Sequence, residues 1–135
     1  MNDTLTNIDR TFGKKCEDDV FDKIKKYFGD TVIRSTERYA LYDFHNDDIL
    51  IELKTRRNKK DAYLDTMIGM NKINYFLEQD KTCYSIFNFS DGMYYIEINR
   101  ETIKEFRFSN GGRCDRGVME LKEYCFIPVN LLKEI

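Results

Sequence analysis

The stretch YALYDFHNDDILIELKTRR, Tyr39–Arg57, decides how the chain is read. It holds two apolar runs, Tyr39–Phe44 and Ile49–Thr55, on either side of the polar tetrapeptide His45-Asn46-Asp47-Asp48. Each run is short, rich in aromatic or branched residues and bounded by turn formers, which predicts a β-hairpin. Strand side chains alternate between faces, so Tyr39, Leu41 and Asp43 share one face of the first strand. On the second strand Leu50, Glu52, Lys54 and Arg56 share a face, and Ile49, Ile51 and Leu53 share the other. Pairing Phe44 with Ile49 sets Asp43 opposite Leu50 and diagonal to Glu52. Asp43, Glu52 and Lys54 then emerge on one side of the sheet.

Two carboxylates and an ammonium on a leucine-bearing strand face need something to offset their desolvation, and a divalent cation is the simplest compensation. An acid on one strand followed by Glu52-Leu53-Lys54 on the next resembles the PD-(D/E)XK nuclease superfamily. The proline that names the motif is absent, since Tyr42 precedes Asp43. The resemblance covers roughly residues 14–99. It implies an α/β fold with a mixed central β-sheet flanked by helices, entered in the order helix, strand, strand, strand, helix, strand. It further implies metal-dependent hydrolysis of phosphodiester bonds, with Mg²⁺ (or Mn²⁺) as cofactor. Asp43 and Glu52 would be direct ligands, with the Leu53 carbonyl as a neutral third. Lys54 would orient or deprotonate the attacking water, or stabilise the phosphorane charge.

Lys14–Phe28 has a helical pattern, with Glu17, Val20, Phe21, Ile24 and Phe28 on one face and Gly29 as the stop signal. Glu17 is an acid on that apolar face. The helix dipole favours an acid in the first turn, and in the resembled family a glutamate on the first helix points at the metal. Glu17 matches that position by order and spacing, as a catalytic and metal residue. Asp30–Thr36 reads as the strand before the hairpin. Tyr63–Glu78 is expected to be a second helix, and Lys72 on it a candidate for the scissile phosphate, with a snorkelling surface lysine as the alternative.

Lys54–Lys60, KTRRNKK, holds five basic residues and no acid. Such a run is ordinarily a solvated loop. Placed directly after the metal strand, Arg56, Arg57, Lys59 and Lys60 become candidate phosphate contacts. Lys81–Phe89 and Met93–Asn99 read as two more strands joined by Ser90-Asp91-Gly92. Ser109–Gly117, SNGGRCDRG, is expected to be a loop, Tyr124–Val129 a last strand segment, and Asn130–Ile135 a terminal helical turn.

The 135 residues fit one domain spanning the whole chain. Apolar content is 41%, with 10 Phe, 9 Tyr and no Trp, which is globular rather than disordered. No apolar run suffices to span a bilayer, and no secretory signal is expected at the N-terminus. The four cysteines are widely spaced, without a CxxC pair, so reduced thiols in an intracellular protein are expected rather than a structural zinc site. The net charge of −2 is not the global signature of a nucleic-acid binder, so any nucleic-acid contact rests on local charge.

The single histidine, His45, lies in the expected hairpin turn, which excludes His-based triads, HNH-type sites and HExxH metalloproteases. Asp47 and Asp48 rival Asp43 as the motif acid, but a strand holds a side chain more rigidly than a turn does. The expected partner is nucleic acid, DNA before RNA, and no membrane. A homodimer stays open, since many relatives cut two strands as dimers. The lack of an evident recognition appendage points to structure- or end-selective cutting. The Asn-, Lys- and Ile-rich, proline-poor composition is compatible with a viral or phage source, and so with action in a host cell. Two other readings remain: a non-catalytic nucleic-acid-binding module of the same fold, and a scaffold in which the charged set is a salt-bridge cluster.

Overall fold

The structure, a computed structural model, describes residues 18–37, 40–115 and 118–135, with the backbone alone for 109–115 and 118–123. The chain divides into two compact units, Met1–Ile33 and Arg34–Ile135. In the first, residues 18–28 form helix α1. Val20 and Ile24 are buried while Asp22, Lys23 and Lys26 are exposed, as the helical period requires. Gly29 follows with a φ of +129°, a left-handed conformation that glycine adopts without Cβ strain. Strand β1, Ile33–Arg34, straddles the boundary between the units.

The second unit carries β2 (Phe44–His45), β3 (Ile49–Thr55), β4 (Asp65–Gly69), α2 (Met70–Leu77), β5 (Thr82–Phe89) and β6 (Gly92–Glu97). A long hairpin follows, β7 (Arg107–Asp115) and β8 (Val118–Pro128), and then β9 (Lys133–Glu134). The main sheet runs β1-β2-β3-β5-β6-β9, and β4-β8-β7 forms a second, antiparallel sheet. Strands β3 and β5 are parallel while β2–β3 and β5–β6 are antiparallel, so the main sheet is mixed. A parallel pair needs a crossover, and β4 with α2 supplies it. The fold is therefore α/β, and the expected element order holds, with β4 inserted ahead of α2.

Parallel register sets Leu50 beside Cys83 and Lys54 beside Phe87. Leu50, Cys83 and Phe87 join Ile73 and Phe76 of α2 and Ile68, Cys125 and Ile127 of the second sheet in one apolar cluster. Helix α2 and the small sheet thus cover the face of the main sheet that carries Leu50.

Four local expectations are corrected. The hairpin pairs Phe44 with Ile51 and His45 with Leu50, two residues further along than expected. Asn46 causes the shift: its Oδ1 accepts from the N–H groups of Asp48 (2.7 Å) and Ile49 (2.8 Å), closing the turn inside the tetrapeptide. His45 therefore belongs to a strand, and β2 is only two residues long. A shift of two keeps every side chain on its face.

The expected helix over Tyr63–Glu78 is helical only from Met70 to Leu77. Its first part is β4, where buried Thr66 and Ile68 alternate with Met67, 40% exposed, and pair with β8 about sixty residues away. Ser109–Asp115 is strand rather than loop, because it finds a partner in β8. The C-terminal segment is a 3₁₀ turn, Val129–Leu131, followed by β9 on the edge of β6.

Candidate active site

Glu52 lies on β3, flanked by β2 and β5, and is 1% exposed. Neither carboxylate oxygen has a hydrogen-bond partner among the described residues. Lys54 Nζ stands 3.4 Å and Lys72 Nζ 3.7 Å from Oε1, which pairs the charges without satisfying the lone pairs. Burial pushes the Glu52 carboxyl above the ordinary carboxylate range; the ammoniums of Lys72 and Lys54 pull it back, and the neighbouring Asp43 carboxylate adds to the rise. A buried anion without hydrogen bonds is costly. A carboxyl perturbed by desolvation beside charged partners is a candidate functional group.

The β2–β3 ladder ends at Phe44 and Ile51, and Asp43, the residue before it, lies close enough to Glu52 to raise its carboxyl. Asp43 is held at three atoms. Its N–H donates to the Ile51 carbonyl at 2.7 Å and its carbonyl accepts from Ser35 N at 2.8 Å. Its Oδ2 accepts from Leu53 N at 2.7 Å, taking the place of a ladder carbonyl beyond the end of β2. The N–H and C=O of one strand residue point to the same side, so the Leu53 carbonyl is also directed toward the edge that Asp43 occupies.

Lys72 reaches this centre from α2, where its Nζ also donates to the Leu41 carbonyl at 3.4 Å. Ser85 of β5 is the register partner of Glu52, fully buried, with a hydroxyl that has no hydrogen-bond partner among the described residues. Sequence reasoning passed over it, since a serine in an apolar strand carries no signal until the register is known. Asp47 and Asp48 sit exposed at the hairpin tip. Asp48 is four residues of extended chain from Glu52, about 13 Å. Glu17 lies outside the described residues.

The basic run splits into different roles. Arg56 donates to the Met67 carbonyl through Nη2. Lys60 pairs with Asp61 at 3.3 Å and lies 5.0 Å from the Tyr94 ring centre. Arg57 and Lys59 are exposed and form no ion pair among the described residues.

The residues present fit a hard divalent cation. Two carboxylates lie near one another, one of them buried with no hydrogen bond among the described residues, beside a backbone carbonyl. Mg²⁺ favours a small set of oxygen donors because it keeps several waters. Among the described residues no three His, Cys, Asp or Glu side chains converge.

No curated protein and no solved structure matches this chain. No helix among the described residues is long and apolar enough to cross a membrane. Residues 6–135 match the model of a family described as "Phage putative PDDEXK endonuclease". With an acid and an E-x-K strand set side by side in a mixed α/β sheet, and that match over nearly its whole length, the chain belongs to this phage PDDEXK family and, at the level the family name carries, is a nuclease.

Proposed function

We propose that residues 1–135 act as one nuclease domain hydrolysing phosphodiester bonds, in DNA before RNA, with Mg²⁺ or Mn²⁺ as cofactor. The observation that carries this reading is Glu52, a buried carboxylate with no hydrogen bond among the described residues, between two ammoniums and near Asp43. Asp43, Glu52 and the Leu53 carbonyl would hold the cation. Glu17 is a further acidic ligand by its place in the family order. When bound, the metal supplies Lewis acidity and a lowered pKa for water.

The chain's own groups do the rest. Leu53 N–H fixes the Asp43 carboxylate, so its orientation needs no reorganisation on loading. Lys54, with its side chain 40% exposed, presents an ammonium to solvent from the same strand face. There it orients the attacking water and stabilises charge on the phosphoryl oxygens. Lys72, 22% exposed, adds a second positive charge from α2. Arg57 and Lys59 supply phosphate contacts outside the centre. A phage nuclease of this kind would act inside the host cell, and cutting both strands of a duplex would favour a homodimer.

The test is cleavage of labelled single-stranded, duplex and branched DNA, and of RNA, with Mg²⁺, Mn²⁺ or chelator, beside Asp43→Ala and Lys54→Ala. Metal-dependent cutting lost in both variants supports the proposal; wild-type cutting that chelator or either variant leaves intact sinks it. A second reading, a non-catalytic module of the same fold, is favoured by the ion pairs of Lys54 and Lys72 with Glu52, which neutralise the carboxylate without metal. Thermal shift separates the two. A cation bound only by the folded state raises stability by about 2.7 kcal/mol at 100 times its Kd, whereas a salt-bridge cluster gains nothing from metal.

A further inference from the structure

Among the described side chains of the second unit, the segment between β3 and β4 carries the most exposed apolar ones: Tyr63 is 67% and Leu64 90% exposed, with Met67, 40% exposed, following in the middle of β4. Their backbone is not loose. Arg56 N donates to Asn88 O (2.9 Å), Ser90 N to Asn58 O (3.1 Å) and Val129 N to Leu64 O (3.0 Å), and Lys60 N donates to Asp91 Oδ1 (2.9 Å). An anchored loop that holds aromatic and aliphatic groups in water at continuing hydrophobic cost is built to present them.

Behind these side chains lies an open cleft of about 280 Å³, walled by Arg56, Asn58, Tyr63, Asp65, Met67 and Phe126. Met67, Phe126 and Arg107 are register partners across the three strands of the small sheet and form one row on its outer face. The Arg107 guanidinium lies 4.6 Å over the Phe126 ring and bonds Asp65 Oδ2 at 3.1 Å. Arg56 stands two residues beyond Lys54 on the same strand face, about 7 Å along the chain. That is about two stacked base steps of about 3.4 Å.

We infer that this cleft receives an unpaired nucleobase, so that the substrate class is single-stranded or locally unpaired polynucleotide. The inference rests on the nuclease reading and deepens it. The wall offers polar groups that a base can use. Asp65, ion-paired with Arg107, can also accept from the amino group of a base, and Asn58 can serve either edge. The exposed Tyr63 ring offers a stacking face, which every base can use. Leu64, beside Tyr63, has the exposure of an apolar wedge that separates stacked bases. Arg57 and Lys59, exposed at the cleft's approach, meet the flanking phosphates. A protein partner would use the apolar groups but leave this basic approach unmatched.

The experiment measures equilibrium binding of one labelled oligonucleotide, as a single strand and as its blunt duplex, with Ca²⁺ present to suppress cutting. Wild type, Tyr63→Phe and Tyr63→Ala are compared; the exposed side chain makes a folded Ala variant the expectation, and its Tm verifies it. Wild type prefers the single strand. Tyr63→Ala lowers the ratio of single-strand to duplex affinity by about 5- to 150-fold, and Tyr63→Phe restores it. A single abasic position in the strand reproduces the loss in wild type and adds little to it in Tyr63→Ala. An unchanged ratio in Tyr63→Ala, or equal loss on strand and duplex, overturns the base cleft. So does a Tyr63→Ala variant that keeps its single-strand preference while losing self-association. If wild type still cuts in Mg²⁺ under such a result, the nuclease reading survives alone. No nucleic-acid binding and no cutting by wild type removes both.

Discussion

Ser85 and Glu52 are register partners on neighbouring parallel strands, both buried, and no oxygen of either side chain has a hydrogen-bond partner among the described residues. Both lower the stability of the empty site: Ser85 has given up water for no hydrogen bond, and Glu52 for two ion pairs that leave its oxygens without one. In chelator, Glu52→Gln is expected to stabilise the protein by about 1–3 kcal/mol, and Ser85→Ala to be neutral or mildly stabilising. Urea midpoints at constant m-value measure this. Glu52→Gln also abolishes cleavage, so stability and activity move in opposite directions. A destabilised Glu52→Gln would mean that the ion pairs with Lys54 and Lys72 outweigh the burial cost.

Asp43 separates two roles that a single variant would confound. An asparagine still offers an oxygen to Leu53 N, whereas alanine leaves that N–H without its 2.7 Å acceptor. Asp43→Asn should keep stability within about 0.5 kcal/mol of wild type and Asp43→Ala should lose about 1 kcal/mol. Both should lose metal-dependent cleavage. Retained cutting in Asp43→Asn would remove the carboxylate charge from the mechanism.

Lys54 and Lys72 pair with the same oxygen of Glu52. Lys54→Ala is expected to lower kcat by about 10²-fold or more, and Lys54→Arg should restore little, since a planar fork does not replace a compact ammonium. Lys72→Ala should give a smaller loss. Because the two share a partner, their effects on stability should be non-additive, with a coupling of about 0.5 kcal/mol or more in a double-mutant cycle. Strict additivity would show that one of the two contacts contributes nothing.

Cys83 and Cys125 are buried free thiols, and burial pushes both up to about 11. Below the ordinary thiol value of 9.0, folded and unfolded states both keep the proton and stability is independent of these groups. Between 9 and about 11 the unfolded chain loses its protons first, so stability should fall with rising pH, by up to about 1.4 kcal/mol per pH unit for each thiol. Cys83→Ser and Cys125→Ser should flatten that limb at some cost in packing. Peptide mapping after alkylation at pH 8 should find both residues unmodified in the native state; prompt labelling would contradict the burial.

Features that depend on local period and turn chemistry were legible in the residues alone. Alternation in Ile49–Thr55 placed Glu52 and Lys54 on one face, and that assignment survived a register error because a slip of two residues preserves faces. The 3.6-residue period picked out Val20 and Ile24 on α1, and Ser90-Asp91 marked the β5–β6 turn. Only the tertiary structure decided what depends on partners far away in the chain. Asp65–Gly69 is a strand because β8 pairs with it, and a short apolar segment ahead of a helix has no period that distinguishes the two. The burial of Glu52, the reach of Lys72 from α2 and the placement of Ser85 beside Glu52 follow from the β3–β5 crossover. Desolvation, the main influence on that carboxylate, is set by which atoms the fold packs around it, and no spacing of residues along a chain encodes it.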